Sequence, residues 1–85
     1  MELHDLKQEL KLLLIQECDL DIDAEEIEDA EQLIGDGSRF GLDSLDALAV
    51  SLEVKTRFGK RIDGGNETRM ALQSIDTLSS FILDP

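Results

Sequence analysis

Between residues 17 and 36 the chain carries ten acidic side chains and no basic one: Glu17, Asp19, Asp21, Asp23, Glu25, Glu26, Glu28, Asp29, Glu31 and Asp36. Carboxylates this dense cannot enter a core without partners, because desolvating an unpaired charge costs several kcal/mol or more. This quarter of the chain must therefore lie at the surface, and the core must come from the rest. Ile22, Ile27, Leu33 and Ile34 recur within the acidic stretch, the pattern of a long loop pinned to a core at intervals. Gly35-Asp36-Gly37-Ser38 is a turn signal. We read residues 19–42 as a long, acidic, anchored loop with room for one short helical turn. Connections of that length are uncommon in compact domains and usually have a function.

The segments around the loop read as helices. Leu3, Leu6, Leu10, Leu13 and Leu14 fall at helical spacings over residues 2–18, with no Gly or Pro to interrupt them. A second helix opens at Asp43, a good N-cap with Asp46 at N3, and runs to Phe58 before Gly59. Gly64-Gly65-Asn66 breaks the chain, and a short helix is expected over 67–72 with Asn66 as its cap. A last helix starts after Ser74 and carries Ile75, Leu78, Phe81 and Ile82. The expected fold is all-α: a small four-helix bundle of three longer helices and one short one, with the long loop between the first and second. At 85 residues the chain has room for one domain, spanning 1–85.

Twenty acidic residues against eight basic ones leave a net charge of −12. That charge repels phosphate backbones and anionic membrane surfaces, and favours protein partners with basic faces. Cys18 is the single cysteine, so no internal disulfide can form and nothing points to an oxidising compartment. The N-terminal stretch lacks the basic start and apolar run of a signal peptide, and Leu12–Ile15 is far too short to span a bilayer. A cytoplasmic, monomeric domain without membrane insertion is the expectation.

The second helix is apolar on two sides. At 100° per residue, Leu45, Leu48, Ala49 and Leu52 cluster on one face, and Ala47, Val50, Val54 and Phe58 on nearly the opposite one. Such a helix is either buried all round or leaves one stripe free. A free Leu45/Leu48/Leu52 stripe would be a docking site.

Self-contained catalysis finds no support. Asp19-x-Asp21-x-Asp23 begins like a calcium loop, but Ala24 stands where its glycine belongs and Ala30 where its glutamate belongs. His4 is the single histidine, with no partner at metal-ligand spacing, so neither Ser44 nor Cys18 has an evident base. Gly35-x-Gly37 lacks the lysine and third glycine of a phosphate-binding loop. The chain reads as a substrate or carrier for other enzymes.

One motif remains, Gly41-Leu42-Asp43-Ser44-Leu45-Asp46, at the start of the two-faced helix and after the long loop. In that setting the chain resembles the acyl carrier proteins, whose Asp-Ser-Leu motif bears 4′-phosphopantetheine on its serine. The resemblance spans nearly the whole chain, through GLDSLDAL, the RFG that closes the second helix, and the terminal SIDTLSSFI. It implies that Ser44 receives phosphopantetheine from coenzyme A through a magnesium-dependent transferase. Asp43, Leu45 and Asp46 would form the recognition site around it, with the phosphodiester at the positive end of a helix. It further implies acyl cargo held as a thioester, Leu45, Leu48 and Leu52 as the docking stripe, and Val50, Val54, Phe58 and Ile62 as an apolar lining that can part to shelter an acyl chain. Partners would be a phosphopantetheinyl transferase, an acyl ligase or transferase, a ketosynthase and other basic-faced enzymes of fatty-acid or polyketide-like synthesis.

The chain departs from housekeeping fatty-acid carriers in three places. Residues 43–63 hold four acids and four bases, where such carriers have a strongly acidic helix. Ala49 stands at a commonly acidic position, and Ile62-Asp63 replaces the usual Ile-Pro. These differences point to a dedicated pathway. An aminoacyl or peptidyl carrier, loaded by an adenylating ligase, stays open from the residues. So does an acidic helical adaptor without a prosthetic group.

Overall fold

Leu6, Leu10, Leu13 and Leu14 lie three, four or one residue apart, so they share one face of a helix. In the computed structural model, which describes residues 2–35, 37–62 and 66–84, they are fully buried along α1, Leu3–Cys18. Leu3, expected on the same face, is half-exposed at the first helical residue, where the helix has not yet met the core. Burying a leucine contributes about 1.5–3 kcal/mol each, which is how so small a chain sustains a core. The helix ends at Asp19, which takes the left-handed conformation (φ 53°) that Asp tolerates better than most residues.

Three further helices follow: α2, Ser44–Phe58; α3, Asn66–Ala71; and α4, Ile75–Leu83. α1 packs against α2 and α4, and α3 closes against both α2 and α4. Val50, Val54, Leu72, Ile75 and Leu78 meet the leucines of α1 in one cluster. The expected all-α bundle of three longer helices and a short one is thus the observed architecture. Among the described residues the one β-type pairing is an isolated bridge between Ile34 and Leu42.

Local chemistry sets the helix ends. Asp43 Oδ1 accepts from the N–H groups of Leu45 and Asp46 at 3.0 Å, and Asp43 N donates back to Asp46 Oδ2 at 3.2 Å. This reciprocal cap starts α2 where the sequence places it. Gly59 stops it with φ +70°, a conformation that a side chain would strain. In α4, Ser74 and Thr77 exchange the equivalent bonds. α3 starts one residue earlier than expected, with Asn66 inside the helix rather than capping it. The Gly64-Gly65 break and Asp63 lie outside the described residues, as does Asp36 of the expected turn.

The acidic segment is a loop with one 3₁₀ turn, Ala24–Glu26. Ile27 and Leu33 are fully buried and anchor it, whereas Ile22 and Ile34 are half-buried against the core's edge. Two backbone bonds tie it to the α3–α4 junction: Leu33 N donates to Gln73 O at 2.8 Å, and Asp76 N to Asp29 O at 2.9 Å. Charge reinforces them. Lys11, only 7% exposed, reaches Asp29 at 2.7 Å, and Lys7 bridges Asp29 at 3.3 Å and Asp76 at 2.7 Å. Further along, Arg39 pairs with Glu31, donates to the carbonyl of Glu26 and lies over the Phe40 ring.

Leu33→Ala should cost about 2–5 kcal/mol in chemical denaturation, the range for a leucine cut from a closed core. A loop merely resting on the bundle would lose almost nothing. The hydrogen bond from Lys11 holds the Asp29 carboxyl below its ordinary value of 3.8. A carboxyl depressed in the folded state stabilises above its unfolded value, and that stabilisation is lost as pH falls through the lower folded one. The destabilisation caused by Asp29→Asn should therefore be complete at neutral pH and shrink towards nothing as pH drops below 3.8.

Candidate functional site

Ser44 is the first residue of α2, exposed, and its hydroxyl makes no hydrogen bond to any described residue. Its position follows from the loop behind it. Leu42 is buried, Gly41 turns the chain with φ +62°, and the Asp43 cap then starts the helix. Gly41 has open space on its Cβ side, so its left-handed backbone, not crowding, is what favours glycine there.

The cap also limits what the helix end can offer. Asp43 Oδ1 takes the Leu45 and Asp46 amides, and the Asp43 carbonyl takes that of Ala47 at 3.0 Å. An anion on Ser44 would meet a positive dipole whose nearest N–H groups are largely engaged. Asp43 is exposed and Asp46 half-buried, and together they leave the surface around the hydroxyl acidic. His4 lies exposed in the first turn of α1 and forms no hydrogen bond to Ser44.

Beside Ser44 the two faces of α2 separate. Leu45, Leu48 and Leu52 are 75%, 54% and 58% exposed, while Ala47, Val50 and Val54 are buried. The helix is therefore not enclosed on all sides; its leucine stripe is uncovered. Around the stripe the charges are mixed, with Glu53 bonded to Arg57 at 3.0 Å, and Arg57 also to Gln16.

A cleft of about 1060 Å³ opens between the start of α2, the end of the loop, Ile62 and α3, with Asp43 and Ser44 on its wall. Ile34, Leu42, Ala47 and Ile62 give it an apolar side. Ser51, Thr68, Arg69 and Gln73 give it a polar one. This divides the expected acyl lining. Ile62 faces the cleft, but Val50 and Val54 are sealed in the core and Phe58 packs against its edge. Val50 and Val54 meet the α1 leucines in the closed core, so a chain would reach them only where the helices part, whereas Phe58 keeps some exposed surface. Ala47 and Ser51 were the missed residues. Their spacing of three and seven from Ser44 puts them on its side of the helix, a signal present in the sequence. The contribution of α3 had no such signal.

Cys18, half-buried at the end of α1, has its thiol pushed up to about 11, first by burial and then by the charges of Asp46, Glu17 and Asp43. Neutral pH leaves it protonated and unreactive. Alkylation of the folded protein by iodoacetamide should be slow at pH 7 and rise about tenfold per pH unit until the thiol ionises. A fast, pH-independent reaction would show an activated thiolate instead.

No helix among the described residues is long and apolar enough to cross a membrane. No protein-family model matches the sequence, and no curated protein matches it significantly.

Proposed function

We propose that the chain is an acyl carrier and not an enzyme: Ser44 takes 4′-phosphopantetheine, and the thiol of that arm carries acyl groups between separate enzymes. One observation carries the reading. An exposed serine hydroxyl with no partner stands at the start of a helix whose leucine stripe is uncovered, and no imidazole is bonded to it. A serine with no base is a poor nucleophile by itself, and is better suited to be modified by another enzyme. The family resemblance in Gly41-Leu42-Asp43-Ser44-Leu45-Asp46 points the same way.

In the transfer, the Ser44 oxygen bonds to the coenzyme A phosphorus that bears the pantetheine. The pyrophosphate bond breaks, the nucleoside bisphosphate leaves, and the hydroxyl proton passes to solvent or to the transferase. Asp43 and Asp46 lie beside the hydroxyl, where a transferase-bound magnesium ion would meet carboxylates. Their cap keeps the serine at the first turn during the reaction. The bound arm supplies a thiol, so Cys18 has no part in the chemistry. Leu45, Leu48 and Leu52 then present an apolar surface for partner enzymes, whose basic rims would meet the acidic loop.

Incubation with coenzyme A, magnesium and a promiscuous phosphopantetheinyl transferase should add one phosphopantetheine by intact mass. Ser44→Ala should add none while keeping its helical circular dichroism. An unmodified wild type would overturn the carrier reading and leave an adaptor that binds through the leucine stripe.

A further inference from the structure

The cleft beside Ser44 is built unlike a hydrocarbon pocket. One side is apolar, through Ile34, Leu42, Ala47 and Ile62, but the other presents the hydroxyls of Ser51 and Thr68, the Gln73 amide and the Arg69 guanidinium. Arg69 is the one cation among the lining residues and makes no ion pair or hydrogen bond with a described residue. Lys7, Lys11, Arg39 and Arg57 each reach a carboxylate, whereas Arg69 reaches none. Asp43, the one anion on the wall, already accepts two backbone bonds. Behind the apolar side the core is shut: Val50, Val54 and Leu78 have no exposed surface, and no described buried side-chain polar atom lacks a partner. A long alkyl chain would have to part that core or lie along a wall of already bonded hydroxyls, Ser51 Oγ donating to the Leu48 carbonyl, and a charged guanidinium, which offers it little apolar contact.

We infer that this cleft takes a short acyl group ending in a carboxylate, with its methylenes against Ala47 and Ile62 and its charged end at Arg69. This rests on the carrier reading above and deepens it. The volume, about 1060 Å³, slightly exceeds the roughly 300–1,000 Å³ typical of small-molecule sites, enough for a short polar cargo with part of its arm. Arginine is the side chain suited to a carboxylate, because its planar fork donates two parallel bonds.

The test loads isotope-labelled protein from the coenzyme A thioesters of glutarate, pentanoate and octanoate, and from coenzyme A itself. Intact mass checks each loading. Amide shifts of Ser51, Ile62 and Thr68 and the Nε shift of Arg69 report the cleft. Glutaryl should move these signals about 1.5- to fivefold more than pentanoyl, as one exposed charge pair predicts. Arg69→Gln should bring glutaryl down to the pentanoyl level while loading proceeds unchanged; Arg69 is exposed, so the fold is kept. Equal or larger shifts with octanoyl would make this a hydrocarbon site and overturn the inference. So would an Arg69 shift produced equally by the unacylated arm, which would pair the guanidinium with the arm's phosphate. Loading with no cargo-dependent shift sinks this inference alone, whereas failure to load at Ser44 sinks the carrier reading and this one with it.

Discussion

Lys7 and Lys11 lie one helical turn apart on α1 and converge on Asp29, with Lys7 also reaching Asp76 at the start of α4. Ten carboxylates in twenty residues repel one another and would hold a free segment away from the bundle. These two cations oppose that repulsion where Asp29 of the loop lies beside both α1 and α4. Lys11 is nearly buried, so its bridge is less screened than a surface pair. With Asp29 held, Ile27 and Leu33 on either side of it can enter the core, and Leu33 can donate to Gln73. The path from there to Leu42 and Gly41 delivers Asp43 to the head of α2. The ion cluster thus reinforces, from a different part of the molecule, the loop path that leads to Ser44.

α2 then serves two environments at once. Its Val50 and Val54 side fills the core, while its leucine side is left bare. Between them, Ser44, Ala47 and Ser51 form a strip of small residues along the cleft. Small side chains there keep the cleft open; larger ones at Ala47 or Ser51 would fill it. The helix that packs the bundle therefore also shapes the cavity next to its own exposed serine.

Much of this was legible residue by residue. The Asp43–Asp46 cap, the Gly59 stop and the Ser74 cap are local chemistry, and each marks its helix end. The leucine spacing of α1 and the two stripes of α2 follow from helical geometry alone. Which of these faces is closed was not legible, because periodicity says that Val50, Val54 and Phe58 share a face with one another but not what that face meets. Arg69 escaped notice for a related reason. It stands on a six-residue helix whose short pattern carries no periodic signal.

From the sequence alone came the elements, most of their ends and the acidic surface segment, all consequences of interactions spanning a few residues, and the candidate serine through its motif. Only the tertiary structure decided which stripe of α2 is covered, which lysines pair with Asp29, and that α3 brings Arg69 to the wall shared with Ser44. Those outcomes depend on residues far apart in the chain, as in the pairing of Lys7 with Asp29 across 22 positions. Chain closure at that range is governed by how the whole core packs, which no local pattern encodes.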